Sequence, residues 1–217
     1  MRIEVPGVGE VSALLLRPSD AHGLYVLAHG AGAGMTHPFL SAMAVRLAER
    51  GMATLRYQFP YMEERRRRPD PPHLAQATVR AAVAAATQAA PDLPLVAGGK
   101  SFGGRMSSQA QADAALPGVR GLVFLGFPLH APGNVGDQRA THLQNVGIPM
   151  LFLQGTRDSL ADLDLMRGVC ERLGDRATLY VVDGGDHSFK VPKRSGQTAD
   201  AVMVGLADTV AGWCRAV

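Results

Sequence analysis

Continuous apolar runs recur along the chain, each closed by glycine or a polar residue: 24–28 (L-Y-V-L-A), 121–126 (G-L-V-F-L-G) and 150–154 (M-L-F-L-Q), with a shorter one at 94–98 (P-L-V-A-G). Runs of this kind predict strands covered on both faces, the pattern of a parallel sheet between two layers of helix. Further strands are predicted at 53–57 and 178–182. At 11–17 (V-S-A-L-L-L-R) alternation gives way to apolar residues, which fits an edge strand pairing antiparallel with 2–5.

Between these runs the period is helical. Thr36 or His37 can cap a helix with Pro38 in its first turn, and Phe39, Leu40, Met43, Ala44 and Leu47 form its apolar stripe before Gly51. Asp70 is the expected N-cap of an alanine-rich helix over 71–90 that Pro91 stops. Helices are also predicted over 102–115, 160–173 and 199–217, the last with Val202, Leu206, Val210 and Trp213 on one face; 58–69 and 127–147 read as irregular. Strands alternating with helices imply right-handed crossovers and an α/β fold, a mostly parallel central sheet with helices on both faces. Ligands in such sheets bind beyond the carboxyl ends of the strands.

With 217 residues, 47% of them hydrophobic, and a mean hydropathy of +0.03, one domain over 1–217 is expected. No stretch approaches ~18 consecutive apolar residues and the start lacks a basic-then-apolar profile, so a cytoplasmic protein without a membrane partner is expected. The two cysteines, Cys170 and Cys214, have no C-x-x-C spacing and read as buried thiols. The net charge of +3 is concentrated at Arg65, Arg66, Arg67 and Arg68, partly offset by Glu63 and Glu64. That run reads as a solvated loop, with an anion-binding or substrate-gating loop as the alternative. No aromatic-interleaved basic stripe supports a nucleic-acid partner. Arginine in excess of lysine and abundant alanine, glycine and proline fit GC-rich coding and a bacterial source.

The chemistry enters at 96–105 (V-A-G-G-K-S-F-G-G-R), where an apolar strand meets a G-x-S-x-G turn and then a helix. A serine hydroxyl is a weak nucleophile, so it must stand on a tight bend within reach of a base. Gly99 and Gly103 flank that bend. Gly99-Lys100-Ser101 also ends like a phosphate-binding loop, but Pro94 occupies the place of that motif's first glycine.

A serine nucleophile needs an imidazole to take its proton and a carboxylate to fix the imidazole tautomer. Of the seven histidines, His187 lies in D-G-G-D-H-S-F, after the last predicted strand and before the final helix. His130 also follows a strand and remains a rival, whereas His29 reads as part of a glycine loop. For the acid, Asp158 (Q-G-T-R-D) lies immediately beyond a strand. Asp162 and Asp164 fall in the next predicted helix, and Asp186 is too near His187 along the chain to orient its ring. The order serine, acid, histidine is that of an α/β-hydrolase. The loop 29–34 (H-G-A-G-A-G) fails as a dinucleotide fingerprint, because Met35 stands where the last glycine is needed and 56–58 (R-Y-Q) lacks the ribose-binding acid. It fits an oxyanion-hole loop, with the N–H groups of Ala31 and Phe102 facing the developing charge.

Together, H-G-A-G-A-G-M-T-H-P-F, Q-F-P-Y-M-E, G-G-K-S-F-G-G-R, G-F-P-L-H, Q-G-T-R-D and D-H-S-F resemble the α/β-hydrolase superfamily. They are similar to its small, dienelactone-hydrolase-like members and, among these, to the subgroup related to testis-expressed protein thirty. The resemblance spans nearly the whole chain and implies the same Ser101, Asp158 and His187 assignment. Dienelactone hydrolases proper carry cysteine where this chain has Ser101, so their substrate is not carried over. The resulting expectation is a serine hydrolase acting on a small-molecule carboxylic ester or thioester, with no cofactor and no metal. The short connection from Gly126 to Met150 leaves no room for a substantial lid. Met35, His37, Tyr61, Phe102, Leu129 and His130 are candidate walls of an open, small site. The alternative is a non-catalytic binding or scaffold protein that keeps the fold.

Overall fold

The apolar runs become the middle of a single eight-stranded sheet. In the computed structural model, which describes residues 1–217, the strands are β1 (Arg2–Val5), β2 (Gly9–Leu16), β3 (Gly23–Ala28), β4 (Met52–Tyr57), β5 (Leu95–Lys100), β6 (Val119–Leu125), β7 (Met150–Gly155) and β8 (Ala177–Val182). Their spatial order is β1-β2-β4-β3-β5-β6-β7-β8. The expected antiparallel pair of β1 and β2 is present, and β2 also runs antiparallel to β4; all pairings from β4 to β8 are parallel. The helices are α1 (Pro38–Ala48), α2 (Pro60–Glu63), α3 (Pro72–Ala89), α4 (Phe102–Asp113), α5 (Leu163–Leu173) and α6 (Ala199–Ala216). None is long and apolar enough to cross a membrane.

Strand alternation divides the interior into two cores. Leu24, Val26 and Ala28 of β3, Leu122 and Phe124 of β6, and Met150 and Phe152 of β7 face one side, with α3, α4 and α5. Tyr25, Leu27, Val123, Leu125, Leu151 and Leu153 face the other, with α1 and the Val202, Leu206 and Val210 face of α6. Tyr25 is wholly buried, and its hydroxyl donates to the Val123 carbonyl at 2.9 Å, so the polar tip of a core ring is satisfied. Trp213 lies on that same α6 face and closes over β6, where a Cβ on Gly121 would meet its ring at 2.6 Å.

Five local expectations change. Asp70 does not cap α3: its carboxylate turns back to accept from the Tyr61 amide at 3.0 Å and from Arg66 at 2.8 Å. The helix starts instead on Pro71 and Pro72, whose fixed φ suits a first turn that needs fewer donors satisfied. The fifth helix begins at Leu163, because Asp162 caps it by accepting from the amides of Asp164 and Leu165. The segment 58–69 contains α2, and 127–147 contains a 3-10 helix at Gln138–Asn145. Both cysteines are free and partly buried, and burial pushes Cys170 up to about 11 and Cys214 up to about 12.

The topology places the site. From β3 the chain moves to β4 on one side and then, through α3, to β5 on the other side of β3. The loops that leave β3 and β5 therefore diverge and open a crevice at the carboxyl end of the sheet.

Candidate active site

Ser101 is the residue between β5 and α4, and it holds φ 50° and ψ −113°. This is left-handed territory for a residue with a side chain, worth about 1–3 kcal/mol of strain, and it persists only where the surroundings enforce it. They do so by close approach of strands β5 and β3. A Cβ at Gly99 would lie 2.3 Å from the Ala28 carbonyl oxygen, and one at Gly103 would lie 2.6 Å from both Ala28 Cβ and the His29 carbonyl oxygen. Glycine at both positions lets α4 start directly against β3.

The loops after β7 and β8 complete the arrangement. His187 Nε2 is 2.8 Å from Ser101 Oγ, and His187 Nδ1 is 2.7 Å from Asp158 Oδ2. The Asp158 side chain has no solvent exposure, whereas the His187 ring is 22% exposed. Asp158 is itself fixed: Gln154 Nε2 donates to Oδ2 at 2.5 Å and the Leu160 amide donates to Oδ1 at 2.8 Å. Such an array can pass a proton from a hydroxyl to an imidazole whose tautomer is set by a buried carboxylate.

The glycine loop after β3 lies against the elbow, so that a Cβ on Gly30 would sit 3.8 Å from Ser101 Cβ. The amides of Ala31 and Phe102 donate to no backbone acceptor in the turns and loops. His29 anchors this loop. Its Nε2 accepts from the Phe59 amide at 3.0 Å, so Nδ1 carries the proton and donates to the Gly30 carbonyl at 2.8 Å. Burial lowers its pKa to about 4.

A cavity of about 320 Å³ opens beside Ser101, lined among others by Ala31, His37, Phe39, Leu160, His187 and Ser188. Of the expected walls, His37 lines it and also caps α1 through Nδ1. Met35, Tyr61, Phe102, Leu129 and His130 do not line it. Leu129 and Tyr61 are wholly buried, and the Tyr61 hydroxyl accepts from the Gly32 amide at 2.8 Å. Met35 is tied by its backbone to Gln58 and Arg56. Phe102 packs its ring edge-on against Phe59. The His130 ring contacts the Ala131 carbonyl at 2.9 Å, and its Nε2 is buried without a partner. Asp162 caps α5, Asp164 pairs with Arg167 on the surface, and Asp186 accepts from the amides of Ser188 and Lys190 within its own loop.

Sequence reasoning gave Gln154, Lys100 and Phe189 no role in the site. Lys100 Nζ donates to the His187 carbonyl at 2.6 Å, and burial lowers its pKa to about 8 against the opposing pull of Asp158 and Asp186. Phe189, at φ 60°, stacks on Phe39 with ring centroids 5.9 Å apart. The available signal was a polar residue ending an apolar strand at Gln154 and a lysine inside the elbow at Lys100.

Several solved structures share this architecture. An alpha/beta serine hydrolase homologue from Coxiella burnetii is 18% identical, with 97% of this chain and 94% of that one covered and a TM-score of 0.76. A dienelactone hydrolase from Anabaena variabilis is 22% identical over 98% and 94% of the two chains, also at 0.76. A lidless alpha/beta serine hydrolase from Xanthomonas campestris is 22% identical over 98% and 93%, again at 0.76. These likenesses show the fold. The profile of the alpha/beta hydrolase domain matches residues 21–215, and the chain belongs to that family.

Proposed function

We propose that this protein is a serine hydrolase that cleaves carboxylic esters or thioesters through an acyl-enzyme on Ser101. The observation that carries the reading is the continuous contact from Ser101 Oγ through His187 to the buried Asp158. In the first half-reaction Ser101 Oγ attacks the acyl carbon while His187 Nε2 takes its proton, and Asp158 stabilises the imidazolium through Nδ1. The N–H groups of Ala31 and Phe102 receive the oxyanion. As the intermediate collapses, His187 returns the proton to the departing alcohol or thiol. Water then enters, gives a proton to His187 and attacks the acyl carbon; the proton passes back to Ser101 as the acid leaves.

The cavity volume lies at the low end of the range for small-molecule sites, which favours a small acyl substrate. The 3-10 helix at Gln138–Asn145 is the one regular element between β6 and β7, in keeping with an open site. Within the family we place the chain beside the subgroup related to testis-expressed protein thirty, on the motifs quoted above.

The test is intact-mass detection of a fluorophosphonate adduct on the purified protein, followed by a panel of esters and thioesters. A single adduct on wild type and none on Ser101→Ala, with turnover lost in parallel, is the expected result. Wild type that never labels points to a scaffold that keeps the fold.

A further inference from the structure

Lys100 sits between Gly99 and Ser101 and lines the cavity, and its ammonium group reaches across to the loop after β8. The His187 carbonyl is its one hydrogen-bond acceptor, at 2.6 Å, and Nζ stands 5.5 Å from the Phe189 ring centroid. These groups meet over Gly126, where a Cβ would lie 3.0 Å from Nζ, 3.3 Å from the His187 carbonyl oxygen and 3.5 Å from His187 Nδ1. The other backbone ties of this loop lie on its incoming side, where the Gly184 amide donates to Thr156 Oγ1 and the Gly185 carbonyl accepts from the Arg157 amide. Beyond Gly185, Asp186 and Lys190 bond only within the loop. The outgoing half is held to the body by Lys100 at the His187 backbone, by the His187 ring on Asp158 and Ser101, and by the burial of Phe189, which stacks on Phe39.

We propose that Lys100 is a positioning residue: its ammonium group latches the 183–190 loop to the elbow through the His187 carbonyl and so fixes the His187 ring over Ser101. This rests on the hydrolase reading. His187 is then clamped at both ends, its backbone by Lys100 and its ring by Asp158. A charged donor makes the stronger bond, roughly twice that of a neutral one. Deprotonation of Lys100 therefore loosens the latch.

The charged groups facing Nζ are Asp158 from the loop after β7 and Asp186 from the loop after β8, both favouring the ammonium; burial outweighs them and brings the lysine from 10.5 to about 8. Activity accordingly falls as pH rises through about 8. Stability moves the other way. Between about 8 and 10.5 the unfolded chain binds more protons at this lysine than the folded one, so its contribution to stability rises with pH. Alkaline loss of activity at Lys100 is therefore separable from unfolding.

The test compares wild type, Lys100→Met and Lys100→Arg by fluorophosphonate labelling rate, by kcat and KM on an activated ester from pH 6 to 10, and by amide exchange across 186–190. In Lys100→Met, kcat and labelling rate should fall about 10- to 100-fold, the scale of a small misplacement of a reacting group, with KM little changed. The alkaline limb should vanish, and the loop amides should exchange faster. Lys100→Arg keeps a charged donor throughout, so it should restore part of the rate and remove the limb from the range. Labelling of Lys100→Met at the wild-type rate, an effect confined to KM, or wild type without an alkaline limb overturns the latch. If wild type never labels, the hydrolase reading fails instead, and unchanged exchange in Lys100→Met then sinks the latch separately. Should Lys100→Met not fold, the wild-type limb and Lys100→Arg decide.

Discussion

Gln154 Nε2 donates to Asp158 Oδ2, the same oxygen that His187 Nδ1 contacts. The Asp158 carboxylate therefore meets two donors on one oxygen and the Leu160 amide on the other, which fixes its plane. Gln154 is wholly buried on β7, and its Oε1 has no partner.

Gln154→Leu keeps the volume and removes the donor. Because the unpartnered Oε1 goes with it, stability should change by about 1 kcal/mol or less. The value of kcat should fall about tenfold with KM steady, as for an interaction that counts in the transition state. Steady-state kinetics with a thermal melt check this; an effect on KM alone would mean that Gln154 does not orient the acid.

Ser101→Gly and Ser101→Ala should both be inactive, yet they should differ in stability. Alanine inherits the left-handed backbone at φ 50° and ψ −113°, whereas glycine adopts it without a clash. The strain is about 1–3 kcal/mol, and glycine gives back about 0.4–1 kcal/mol through a freer unfolded chain. Ser101→Gly should thus be the more stable by about 1 kcal/mol in denaturant titration. Equal midpoints would mean that the elbow is unstrained.

The convergence of Ser101, Asp158 and His187 was legible because its signals are local. Ser101, Asp158 and His187 each sit just past an apolar strand end, and the topology rule brings strand ends together. The walls were not legible in this way. Tyr61 and Leu129 look like wall residues in sequence, but apolar rings and branches beside a crevice are drawn into the core, and the Tyr61 hydroxyl finds Gly32. Phe39, Leu160 and Ser188 reach the cavity instead because α1 and two loops fold over the elbow. Asp70 failed as a cap for a related reason: two consecutive prolines start the helix unaided, which frees the carboxylate for Tyr61 and Arg66. The pairing of β2 with β4 joins segments whose register no local pattern carries.

Asp158 and Asp162 offer a clean separation of roles. Asp158→Asn should lower kcat by about 10⁴ with the fold retained, because the amide favours the wrong imidazole tautomer. Asp162→Ala should keep kcat and lose about 1 kcal/mol, the usual effect of deleting an N-cap acceptor. The reverse pattern, seen in kinetics and urea unfolding together, would move the acid to the start of α5.

Acid should loosen the glycine loop through His29. Its ring is wholly buried, with Nε2 accepting from the Phe59 amide, so a proton on Nε2 would break that bond and bury a charge. Burial is the main cause of the shift, against which the Gly30 carbonyl and Asp70 act, and the pKa falls from 6.5 to about 4. Between these values the unfolded chain holds more protons at His29 than the folded one. The stabilisation is thus complete above about 6.5 and is lost as pH falls toward 4; it amounts to about 3 kcal/mol in all, and about 2 kcal/mol of it is gone by pH 5. His142, also lowered to about 4 by burial and Arg105, adds a slope of the same sign. His29→Gln cannot take up a proton, so it should be less stable than wild type at pH 7.5 and should close most of that gap by pH 5. Denaturant titrations at the two pH values measure the gap directly. A gap that stays constant would show that His29 does not carry the acid sensitivity, and would leave His142 and the carboxylates to account for it.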